Sequence, residues 1–189
     1  MGEDRNTPET LLDAQDRFVA VWGQMATAWG ISRTMAEVHA LLFITGQPMN
    51  TDEVMERLQI SRGNASMSIR ALLDWGVVQR THKRGDRKEY FMAQQDVWDM
   101  FRAIVRERMK REIDPLLASL YEIRDLTGVE AVKGKTPAAE DKQAVLEHNK
   151  RLDAMLEFFQ VLDKISQRFV SPSGRGLQVA ATVLNKITG

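Results

Sequence analysis

The stretch "ISRGNASMSIRALLDWGVVQRTHKRGDRKEYF", Ile60–Phe91, decides how the rest of the chain is read. As far as Gly76 its apolar residues fall at helical spacing, with Ala65, Ile69 and Leu72 on one face. Ser61 stands where a side-chain oxygen caps the first turn, and Gly76 is a good helix stop. The opposite face is bland, with Gly63, Met67 and Arg70 outward and Asn64 and Ser66 on the flanks. Beyond Gly76 the period falls from 3.6 to 2. Val77–Thr81 and Glu89–Met92 are predicted strands around a turn near KRGDR, where Gly85 supplies a positive φ. The unit is a helix with a slim polar face, followed by a basic two-stranded hairpin.

Working outward toward the N-terminus, residues 1–10 are acidic and polar and are expected to be disordered. A dimerisation helix is predicted over residues 11–31, with Leu11, Phe18 and Met25 repeating at seven and Gln15, Trp22 and Trp29 beside them. A second helix, from Arg33 to about Ile44, turns Met35, Val38, Leu41 and Leu42 inward. TGQPMN reads as a loop. Asn50 or Thr51 then caps a short helix with Asp52 and Glu53 in its first turn, where the helix dipole favours acids. Helix, short helix, tight turn, helix and basic hairpin, in that order, make a winged helix-turn-helix spanning residues 32–95.

Residues 96–189 read as a helical region for dimerisation and effector binding. A long helix runs from about Asp96 to Leu126. Pro115 cannot donate an amide to the Arg111 carbonyl, so a kink or a fresh start is expected there. Val97, Met100, Phe101 and Leu120 belong to its predicted inner face. TGVEAVKGKTP is a linker, and Thr136 with Pro137 opens a helix to about Phe169. Its repeats at seven, Val145/Leu152/Phe159 and Met155/Leu162/Phe169, ask for a partner helix. A short terminal helix is expected over Leu177–Ile187. The predicted fold is therefore mostly α with a small β wing: a winged helix-turn-helix plus long dimerisation helices.

Charge gives the first functional pointer. The whole chain is neutral, yet Ser61–Met92 holds seven Lys and Arg against three acids. A basic segment on an otherwise acidic chain marks one surface for a polyanion. A helix that enters the major groove must be slim and must both donate and accept hydrogen bonds. Arg62, Asn64, Ser66, Met67 and Arg70 are the candidate readers of base edges, and Lys83, Arg84 and Arg87 the candidate anchors of the wing on phosphate. The partner implied is double-stranded operator DNA. The alternative is a winged-helix protein-interaction scaffold that ignores DNA sequence.

Other chemistries find little support. There is no cysteine, the three histidines (His39, His82, His148) are dispersed, and HExxH, P-loop and GxSxG motifs are absent. No catalytic residue, metal or cofactor is expected. No apolar run approaches the roughly 20 residues that span a bilayer, so no membrane partner is expected and a cytoplasmic location is.

"SRGNASMSIRALLDWGVVQR", "KRGDRKEYF" and "DVWDMFRAIVRERMKREIDP" together resemble the GbsR-type branch of the MarR-like transcriptional regulators, over roughly Phe18–Leu126. The resemblance implies a homodimeric winged-helix repressor or regulator, with some members responsive to osmolyte-related compounds such as choline. An aromatic box holds quaternary ammonium ions through cation–π attraction. Trp22, Trp29, Trp98 and Phe101 are the candidate ligand-binding residues, with ordinary core packing as the competing reading.

Overall fold

The computed structural model describes residues 9–127 and 139–171. Most of the expected disordered segment, the linker with its Thr136–Pro137 cap, and the terminal helix lie outside these residues. The described chain divides into two compact units, the first ending at Ala103 and the second beginning at Ile104.

The first unit opens with α1 (Glu9–Ala28), which starts two residues earlier than the periodicity predicts. The residues of its two repeats at seven only flank the buried face, with Gln15, Phe18, Trp22 and Met25 half-buried. Val19, Gly23 and Ala26 are buried, whereas Leu11 and Trp29 are exposed. The reason is Gly23: a Cβ there would stand 2.8 Å from Glu37 Cγ, so glycine alone lets α1 lie this close to α2 (Arg33–Thr45). Phe18 and Trp22 flank that approach and pack on the cluster of Val19, Ala40 and Leu41. Val38, Leu41, Leu42, Val54 and Val77 are the largest fully buried side chains.

After α2 the expected loop contains a strand, β1 (Met49–Asn50), too short to show a period. Asn50 then caps α3 (Thr51–Leu58): its Oδ1 accepts from the amides of Asp52 at 2.9 Å and Glu53 at 3.1 Å, while Glu53 Oε2 accepts from the Asn50 amide. Gln59 adopts a left-handed φ of 52° and turns the chain into α4 (Arg62–Asp74). Ser61 caps α4 by accepting from the Asn64 amide at 3.3 Å.

The wing follows as β2 (Val78–Thr81) and β3 (Tyr90–Ala93). It is three-stranded rather than two-stranded. The order is β1-β3-β2, all antiparallel, with Met49 opposite Phe91 and Thr81 opposite Tyr90. The wing tip turns where the Asp86 amide donates to the Lys83 carbonyl at 3.1 Å, with Gly85 at φ 85°. The helix α5 (Val97–Arg108) begins in this unit and buries Met100 and Ala103. Val97 and Phe101, predicted to face inward, are exposed, because the buried stripe runs one residue to the side.

In the second unit the irregularity expected at Pro115 takes the form of a π-helical turn (Met109–Ile113), which leads directly into α6 (Asp114–Leu126). The widened turn absorbs the missing proline amide and the ring that would otherwise crowd the preceding carbonyls. α7 (Ala139–Val170) packs on α6 through Leu156 and Leu120, both buried. Arg124 pairs with Asp153 at 2.7 Å, and Asn149 Nδ2 donates to the Thr127 carbonyl at 3.2 Å. Of the residues in the two predicted α7 repeats, Met155 faces solvent and the others are half-buried. No helix among the described residues is long and apolar enough to cross a membrane.

Candidate nucleic-acid interface

Helix α4 presents one packed face and one open face. Ala65, Ser68, Ile69 and Leu72 are buried against α2 and α3. Arg62, Gly63, Asn64, Met67 and Arg70 are exposed, and Ser66 is half-buried. Met67 is 60% exposed, unusual for an apolar side chain on a polar helix face. Arg70 Nε donates to the Ser66 carbonyl at 3.3 Å, which holds its guanidinium along the helix.

Gly63 has no packing reason to be glycine. A Cβ there would meet only Ser61 Oγ, at an ordinary 3.9 Å. Glycine inside a helix costs about 1 kcal/mol relative to alanine. Its effect here is to leave the first turn of α4 bare, with backbone reachable from outside the molecule.

The wing carries its cations on the loop between β2 and β3. Lys83, Arg84, Arg87 and Lys88 are all exposed. Lys83 Nζ sits 4.1 Å from the centroid of the Tyr90 ring, a cation–π interaction that orders its stem. Tyr90 Oη donates to Asp86 Oδ2 at 2.7 Å, and the Lys88 amide donates to Asp86 Oδ1 at 2.9 Å. The Tyr90 hydroxyl, followed by the Lys88 amide, holds the Asp86 carboxyl below the usual carboxylate range, and Asp86 in turn pushes the Tyr90 phenol up.

Two participants escaped the sequence reading: Asp52 and Lys88. Asp52, in the first turn of α3, accepts from Arg62 through Oδ1 and from Lys88 Nζ through Oδ2, the latter at 3.2 Å. The Lys88 hydrogen bond, then that of Arg62, lowers the Asp52 pKa, and Asp52 raises that of Lys88. One carboxylate thus ties together α3, the first residue of α4 and the base of the wing. In the sequence Asp52 stands out only as an acid suited to a helix N-terminus. Nothing local signals a partner 36 residues away.

The candidate ligand-binding aromatics are distributed over the first unit. Trp22 stacks on Phe18, with ring centroids 5.7 Å apart, and lies 6.1 Å from His39, which stacks on Phe43. Trp29 and Phe101 are exposed at 49% and 41%, and Trp98 is half-buried. His39 is buried, and its Nε2 has no hydrogen-bond partner among the described residues. Burial lowers its pKa to about 4.

Comparison with known proteins agrees with this architecture. Residues 29–89 match the MarR family, a span that covers α2 through the wing loop. The HTH-type transcriptional repressor GbsR of Bacillus subtilis (strain 168) is 24% identical over 155 residues, which cover 82% of this chain and 84% of GbsR. The putative HTH-type transcriptional regulator YvaV of the same organism is 24% identical over 166 residues, covering 87% and 92%. A crystal structure described as a transcriptional regulator shares the fold, with a TM-score of 0.55 at 20% identity over 87% of this chain and 99% of that one. Residues 29–89 therefore resemble the domain of the MarR family, and the chain is similar to GbsR over most of its length.

Proposed function

We propose that this protein is a sequence-specific DNA-binding transcriptional regulator that represses as a homodimer. The observation that carries the reading is the open face of α4. It is capped at Ser61, bare at Gly63, lined by groups that read base edges, and flanked by a basic wing. Asn suits adenine, Arg suits guanine, and the exposed Met67 suits a thymine methyl. Arg84 and Arg87, which make no ion pair among the described residues, are suited to phosphate. The relatives are named as regulators of transcription.

Dimerisation is supported by apolar surface on the second unit. On α7, Met155, Phe158, Val161 and Ile165 recur at helical spacing and are exposed, Phe158 at 59%. On α6, Ile123 and Leu126 are exposed as well. A stripe of this kind is stabilised by covering it. A two-fold dimer would present two α4 helices to successive half-sites, and its spacing would be the regulated quantity.

For the effector, an osmolyte-related quaternary amine bound by Trp22, Trp29, Trp98 and Phe101 is the reading favoured by the resemblance and by the exposure of Trp29 and Phe101. Titration with choline, followed by tryptophan fluorescence, tests it; an unchanged spectrum at millimolar choline removes it.

Fluorescence anisotropy tests the DNA reading, with the duplex upstream of the gene and a random duplex compared at two salt concentrations. Preference for the upstream duplex with strong salt dependence supports a regulator. Equal binding to both points to a non-specific binder, and binding to neither points to the protein-interaction scaffold.

A further inference from the structure

The ion cluster at the foot of the wing is not explained by stability. Asp52, Arg62 and Lys88 have side chains 48%, 67% and 55% exposed, and ion pairs that wet contribute little to folding. What is unusual is the connectivity. The two carboxylate oxygens each hold a different cation, and those cations come from the two elements that face DNA, α4 and the wing. A phosphate offers the same two-oxygen acceptor to the same donors. The carboxylate is thus a rival for the cations that phosphate needs.

We propose that Asp52 is a built-in competitor for DNA phosphate: it occupies Arg62 and Lys88 in the free protein and must give them up when a duplex docks. The inference rests on the DNA-binding reading above and adds a phosphate site, Arg62 with Lys88, to it. Asp52 cannot withdraw far, because the Asn50–Glu53 capping box locks the turn that carries it. Only its side chain can rotate away. Until it does, the approaching backbone meets two cations and one anion instead of two cations. By contrast, Arg84 and Arg87 are exposed and unpaired among the described residues, so they are ready for phosphate at no such cost.

Releasing an exposed ion pair before phosphate can engage its cation is worth roughly two- to fivefold in affinity. D52N keeps the shape and one acceptor oxygen while losing the charge. It should tighten binding to a random duplex by about that factor at low salt, and the gain should shrink as salt screens it. In an R62Q/K88Q background the same substitution should gain almost nothing, since no cation remains to be released. D52S, which suits a first helical turn, should repeat the result, and circular dichroism melts would confirm that each variant folds. D52N that binds no tighter than the parent, or that gains equally in both backgrounds, would overturn the competitor and leave the DNA-binding reading in place. Binding by neither the parent nor D52N, on random and upstream duplex alike, would overturn both. Binding by D52N where the parent shows none would support both.

Discussion

His39 makes the folded state sensitive to acid, and the size of the effect follows from its burial. The ring is 4% exposed, stacked on Phe43 and tilted against Trp22, and its Nε2 meets no protein acceptor or donor among the described residues. An imidazolium there would lose its hydration and gain no counter-charge, so burial lowers the pKa from 6.5 to about 4. Below pH 6.5 the unfolded chain takes up a proton that the folded chain refuses. The stability is therefore whole above pH 6.5 and is lost as pH falls toward 4, below which this group costs nothing more. The full effect is about 3 kcal/mol, and the share lost between pH 7 and pH 5 is about 2 kcal/mol. Urea denaturation at those two pH values, at one protein concentration, measures it. His39→Phe keeps an aromatic ring in the stack and removes the proton, so its loss of stability from pH 7 to pH 5 should be about 2 kcal/mol smaller than that of the parent. Asp52 and Asp86, with lowered pKa values, contribute equally to both proteins and cancel in the comparison. Identical losses in the two proteins would refute the argument that this buried ring refuses the proton.

Other substitutions probe the interface and the assembly. The double variant Arg84→Ala/Arg87→Ala should weaken binding on all sequences and lower the slope of log K against log salt by up to about 1.8, from roughly 0.9 for each phosphate left unneutralised; an unchanged slope in anisotropy titrations would remove the wing from the phosphate. Asn64→Ala or Arg70→Ala should cost about 1–3 kcal/mol at the cognate site with little effect on random duplex, and equal losses on both would place these side chains on phosphate. Phe158→Glu should shift the protein toward monomer in light scattering, since covering such a side chain contributes about 1.5–3 kcal/mol and a buried carboxylate opposes it; an unshifted mass would place the dimer interface elsewhere. Leu41→Ala should destabilise the first unit by about 2–5 kcal/mol in urea, because the residue is fully buried and its cavity cannot collapse easily.

Much of the candidate site was legible because it is built from local rules. Ser61, Gly76 and Gly85 act within one turn of chain, through a hydroxyl or a permitted positive φ, so their places could be read directly, and the cap of α3 could be narrowed to Asn50 or Thr51. The inner and outer faces of α4 followed from helical spacing for the same reason. The basic balance of Ser61–Met92 was likewise a count along the chain.

What tertiary structure alone decided involves partners far apart in sequence. The buried face of α1 lies beside its two repeats at seven, because docking chose the face where Gly23 admits Glu37. The strand β1 has two residues and exists only because β3, about 40 residues later, supplies its hydrogen bonds. Burial of His39 needs Trp22 from one helix and Phe43 from another turn of its own. The bond from Lys88 to Asp52 spans 36 residues, and neither residue is unusual in its local setting. Local propensity acts through a few consecutive dihedrals, so it can be read from neighbours in the chain. Burial and ion pairing depend on which surfaces meet, and for α1, β1, His39 and Asp52 only the folded chain determines that.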